Sequence, residues 1–164
     1  CWPQVSQRQT IPRIYKEIRD SGEKVLFIMD DVVNDMKKEA RLEKLLCKVL
    51  MNRRHQCGSG GSLSVWITTQ VYNKVPLPVR KCASHLILYE TKNRKELDSM
   101  YDEVIVGLTK PEWYQLLKYV WSKKFNFLYL DTGNAFNKMY HKNFNPLELH
   151  TQMDEMTDLL PDEK

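Results

Sequence analysis

Glycine is sparse in this chain, six residues in 164, and none of them opens GxxxxGK[ST], the loop and lysine that cradle β and γ phosphates. That cradle is not supplied by these residues. The glycines of "CGSGGS", Cys57 to Ser62, do not substitute, because no Lys followed by Ser or Thr comes after them and no helix begins there in phosphate-binding register. Four cysteines, Cys1, Cys47, Cys57 and Cys82, make no CxxC pair, which argues against a zinc site and a disulfide framework and suits a reducing compartment. The histidines, His55, His85, His141 and His150, share no metal-ligand spacing and read as surface or strand-end residues. No apolar run is long enough to span a membrane. Neither sign of charge dominates: 25 Lys and Arg against 21 Asp and Glu leave +4 and a pI near 8.8, which permits contact with a polyanion without requiring it. No internal repeat is visible. The chain opens at Cys1 with no methionine and no charged, apolar leader, so it reads as a piece of something longer.

What is present is enough for a core, with 42% hydrophobic residues pointing to one α/β domain over 1–150 and an acidic tail, 151–164, nearly free of aromatics. "IPRIYKEIRDSG" predicts a helix with Ile11, Ile14 and Ile18 on one face, stopped by Ser21 and Gly22. Leu42, Leu45, Leu46, Val49 and Leu50 predict a second, amphipathic helix. "CGSGGS" has the composition of a flexible linker over 58–62, natural or engineered. "LSVWITTQ", from Leu63 to Gln70, and "HLILYE", from His85 to Glu90, read as strands, and "NRKELDSMYDEV" as a helix. Thr109 can cap a further helix with Pro111 in its first turn and Trp113, Leu116, Leu117, Val120 and Trp121 as its buried stripe. That stripe assigns Trp113 and Trp121 to core packing ahead of base stacking, with Tyr119 beside them. "FNFLYLD" predicts a fourth strand and "TGNAFNKMYHKNFN" a loop. Strands alternating with helices predict an open, mainly parallel α/β sandwich.

The stretch "VLFIMDD", Val25 to Asp31, runs five apolar residues into two carboxylates. An unalternating run of this kind is the mark of a strand covered on both faces, as in parallel sheets. The carboxyl end of such a strand faces the crevice where open α/β sheets bind ligands. Adjacent like charges are costly without a cation nearby, and a magnesium ion carried by a nucleotide triphosphate would supply one. The alternative is that the acids end the strand and cap the next helix.

The order of features is a strand ending "DD", an amphipathic helix, basic "NRRH", a strand ending "TTQ", then "YNKVPLPVR", a third strand and "NRKELDSMYDE". This series resembles the RecA-like (ASCE) motor core of the FtsK and HerA family of P-loop ATPases. It is most similar to the genome-packaging ATPases of large double-stranded DNA viruses and virophages. The resemblance runs from about Lys24 to Glu103, and more loosely through "FNFLYLD" to "KNFNPLEL". It implies that Asp30 is the Walker B acid holding Mg²⁺ through water, Asp31 the catalytic acid and Gln70 the residue sensing the γ-phosphate of ATP. Glu is commoner in the second position, so Asp31 leaves a slightly longer reach to water. The Walker A strand and loop are absent from these residues, the largest departure from the family. In the family's sheet that strand lies between those ending at Gln70 and beginning at His85, so its absence implies a gap or altered pairing there.

Arg80 follows Pro76 and Pro78, a segment stiff enough to fix its direction. It is either an arginine finger reaching a neighbouring subunit's phosphates or an ordinary surface or DNA-facing arginine. Arg53, Arg54 and His55 are either helix-end cations or a phosphate or subunit contact, with Arg54 the second finger candidate. The resemblance implies an ATP-driven, ring-forming translocase, pentameric or hexameric, that packages double-stranded DNA. Its partners would be DNA, further copies of the chain, and capsid or portal proteins, in host cytoplasm, viral factory or virion, without membrane. Two alternatives stay open, a non-catalytic DNA-binding or assembly module of the same fold, and a metal-dependent nuclease using Asp30 and Asp31 directly.

Overall fold

The computed structural model describes residues 13, 16–19, 21–31, 40–53, 55 and 57–149, in two compact units, Cys1–Cys82 and Ala83–Lys164. In the first, the apolar run forms strand β1, Lys24–Asp30, and the second β-branched run forms β2, Ser62–Thr68. They pair in parallel, with Lys24 opposite Ser62 and Asp30 opposite Thr68. Helix α1, Ala40–Met51, presents the expected stripe: Leu46 and Leu50 are buried with Met29, and Val49 with Leu63 and Cys57. Val25, Phe27, Val65 and Ile67 pack on the same side. Each fully buried side chain of this size contributes roughly 1.5–3 kcal/mol. Ile18 packs against the Val49 cluster; Ile11, Ile14 and the side chain of Leu42 lie outside the described residues.

Among the described residues, β1 is covered on one face and not on both. Leu26 and Ile28 are 55% and 59% exposed, and Trp66 beside them on β2 is 55% exposed. The first unit's described residues supply one covering layer, α1, and it lies on the face of Val25, Phe27 and Met29. The glycine-rich stretch feeding β2 is a close-packed turn. Gly58 and Gly60 have positive φ, Ser62 N–H donates to Glu23 O at 3.1 Å, and a Cβ on Gly61 would lie 2.6 Å from Cys57 Cβ, so only glycine fits there.

The second unit is an antiparallel sheet in the order β3, His85–Tyr89; β4, Phe127–Asp131; β5, Tyr140–Lys142; β6, Asn145–Pro146. A mainly parallel sandwich is therefore not what forms: the molecule is mixed α/β, with one small parallel and one antiparallel sheet. The reason lies in the connection. A single crossover helix returns the chain to where a strand began and gives a parallel neighbour. Two helices in succession, α2, Arg94–Val104, and α3, Lys110–Val120, return it to where β3 ended, and β4 runs the other way. Strands β5 and β6 fall in the stretch expected to be loop, joined by a turn at Asn143 with φ 57°, a conformation Asn tolerates.

The α3 stripe forms as expected except at its last member: Trp113 and Val120 are fully buried and Leu116 and Leu117 nearly so, while Trp121 caps the helix and is half-buried. Trp113 Nε1–H donates to Leu97 O and Trp121 Nε1–H to Leu88 O, which ties α3 to α2 and to β3. Thr109 caps α3, its N–H and hydroxyl both donating to Glu112 at 2.6 Å. Tyr140 is fully buried and donates to Val106 O at 2.9 Å; burial pushes its pKa up to about 12. Among the described residues no helix is long and apolar enough to cross a membrane.

Candidate functional site

The parallel, unstaggered register of β1 and β2 brings both carboxyl ends to one place. Asp30, the last residue of β1, faces Thr68, the last of β2, and the Thr68 hydroxyl donates to Asp30 Oδ1. One residue on, Asp31 N–H donates to Thr68 O at 3.2 Å. Its φ is 47°, a left-handed conformation that Asp adopts more readily than most residues because its short polar side chain bonds locally. The chain thus leaves the sheet abruptly at Asp31, with both carboxylates in solvent.

After β2, Thr69 forms a tight turn: its hydroxyl accepts from Val71 N–H at 3.3 Å and donates to Val71 O at 3.2 Å. Gln70 stands exposed on that turn. Three expected residues, Asp30, Asp31 and Gln70, therefore follow the same end of two adjacent strands. Thr68 joins them and was not singled out. Parallel pairing of the two runs would have placed it beside Asp30.

Arg80 has a different setting. It ends a four-residue helical turn, Leu77–Arg80, entered from Pro76. Its Nη1 donates to Asn73 Oδ1 at 3.0 Å, and its guanidinium carbon lies 4.7 Å from the centroid of the buried Tyr72 ring. The proline segment does fix its direction, onto Tyr72 and Asn73 of its own unit. Arg54 lies outside the described residues. Its neighbour Arg53 donates from Nη1 to Leu50 O at 3.3 Å, at the carboxyl end of α1, where a cation complements the helix dipole.

Chemically, the end of the β1–β2 pair offers two exposed carboxylates and a hydroxyl. Asp30 and Asp31 are the residues that could serve a hydrated divalent cation. Among the described residues no group of three His, Cys, Asp or Glu could enclose one. No family model, curated protein or solved structure matches the chain.

Proposed function

We propose that the end of the β1–β2 pair is the hydrolytic half of an ATP site in a ring-forming, DNA-translocating ATPase of the genome-packaging type. The observation that carries this reading is the unstaggered parallel pairing that sets Asp30 opposite Thr68, with Asp31 and Gln70 in the residues that leave the same end of the two strands. In this reading Asp30, oriented by Thr68, takes the water shell of Mg²⁺. Asp31, one residue further out, orients the attacking water, and Gln70 senses the γ-phosphate. Bound Mg²⁺ would neutralise charge on the β and γ phosphates. The phosphate loop must come from outside these 164 residues, and β2 has an edge for it, since its hydrogen-bonded neighbour among the described residues is β1. Arg80 serves a neighbouring site only by exchanging Tyr72 and Asn73 for phosphate; Arg54 is the other candidate. DNA would be held through its phosphates, largely without sequence preference.

The test is Mg²⁺-dependent ATP hydrolysis by the assembly that contains the phosphate loop, with and without double-stranded DNA. DNA-stimulated hydrolysis that Asp30→Asn abolishes is expected; DNA binding with no hydrolysis under any condition would leave the non-catalytic module standing instead.

A further inference from the structure

The second unit turns one face of its sheet outward. Leu88, Leu128 and Leu130 are buried, and strand alternation puts His85, Ile87 and Tyr89 of β3, with Phe127, Tyr129 and Asp131 of β4, on the opposite side. That side is rich in rings. Tyr89 meets Phe127 at 5.5 Å, Phe127 meets Phe144 at 5.1 Å, and Phe144 meets Tyr129 at 5.5 Å. Tyr129 then meets His141 at 5.0 Å and His85 at 5.9 Å. Tyr89 is 58% and Phe144 68% exposed, a large cost for aromatic area left in water without use.

Geometry and charge select the occupant. Of the five ring pairs, His85–Tyr129 is stacked, and the others are tilted or edge-on at 54° to 71°. An edge-to-face pair leaves the outer face of one ring free for another flat ring. A base can lay its face on one of these rings only if it is not already stacked within a duplex, so the platform suits the unstacked bases of a single strand and not a duplex. The exposed pair Lys123–Lys124 lies in the turn that enters β4 just before Phe127, and exposed Lys92 follows the end of β3 just after Tyr89. Cations thus flank the Tyr89–Phe127 end, against Glu90 alone in those two short connections. At the other end Asp131 is occupied by Gly133 N–H at 3.1 Å, Asn134 Nδ2–H at 2.9 Å and His85 Nδ1 at 3.6 Å. Phosphates are therefore favoured at the Tyr89–Phe127 end.

We propose that this face is a stacking platform for the bases of single-stranded nucleic acid, running from Tyr89 through Phe127 and Phe144 to Tyr129, with the backbone entering past Lys92 and Lys123–Lys124. The proposal rests on the second unit alone and stands or falls separately from Asp30 and Asp31. It is tested by fluorescence anisotropy of the 164-residue chain, without ATP, with a short labelled oligothymidylate and a duplex of the same length. The single strand should bind at least about tenfold tighter than the duplex, and the double substitution of the two most exposed rings of the platform, Tyr89→Ala with Phe144→Ala, should weaken it by about tenfold or more. Undetectable single-strand binding, equal affinity for duplex, or an unchanged affinity in the folded double variant would overturn it. Should the variant not fold, photocrosslinking of a 5-iodouridine oligonucleotide to the unmodified chain decides: adducts on Tyr89, Phe127, Tyr129 or Phe144 support the platform, and adducts confined to other residues refute it.

Discussion

Asp30 and Asp31 are neighbours in sequence but not equivalents in structure. Asp30 closes a paired strand and accepts the Thr68 hydroxyl, whereas Asp31 has already turned into left-handed backbone. In the proposed reading that difference separates two roles, the anchored acid serving a cation and the outer one a water. Both positions were legible, because an apolar run ending in acids announces a strand end. Thr68 was not, since its importance appears only once the two runs pair. Arg80 shows the opposite limit: the prolines gave it a fixed direction, but its partners Tyr72 and Asn73 sit on a short 3₁₀ turn, Tyr72–Lys74, which no periodicity announces. Its role can be separated by doping. If Arg80 acts in trans, mixing Arg80→Ala protomers into an unmodified ring should depress ATPase activity more than in proportion to their share, because each disables a neighbour's site. Strictly proportional loss would mean that Arg80 serves its own unit, through Tyr72 and Asn73.

Among the elements, α1 carries the first unit, since Leu46 is fully buried between Met29 of β1 and Val75 and Val79 beyond β2. Leu46→Ala should cost about 2–5 kcal/mol in denaturant unfolding, while Ile28→Ala on the open side of the same sheet should cost under about 1 kcal/mol. Equal costs would mean that the open face is covered. In the second unit α3 is held by exposed charge at its start. Hydrogen bonding to Lys110, at 2.7 Å, and to Tyr114 keeps the Asp98 carboxyl below its usual pKa, and Thr109 does the same for Glu112. A carboxyl with a lowered folded pKa binds fewer protons folded than unfolded. Its stabilisation is thus fully present above the ordinary carboxylate value, about 4, and is lost as pH falls through the lower folded value. Thermal unfolding of Asp98→Asn should accordingly show a smaller loss of stability below about pH 4 than the unmodified chain; an identical pH profile would remove Asp98 from the account. The α1 and α3 stripes were readable because helical periodicity survives any tertiary setting. One-sided cover of β1 was not, because five unalternating apolar residues look alike whether a second layer exists or not.

For the whole molecule, the mixed α/β class and the order of strands and helices followed from pattern, while sheet direction did not. Direction depends on how many helices intervene, and the pair between β3 and β4 reverses what one would give. β5 and β6 were hidden for a simpler reason: "YHK" and "NP" are too short and polar to show a period, and Tyr140 alone anchors them in the core. The site proposed at the end of β1–β2 needs one parallel pair and not a whole parallel sheet, and β1 and β2 form that pair. The most direct measurement of its role is the rate at which bound ATP is hydrolysed by Asp31→Asn in the assembly that supplies the phosphate loop. The expected result is a kcat lower by about two orders of magnitude or more with nucleotide affinity nearly unchanged, since removing the water-orienting acid acts on the transition state more than on the ground state; unchanged turnover would contradict the assignment of Asp31 and with it the hydrolytic reading of this end of the sheet.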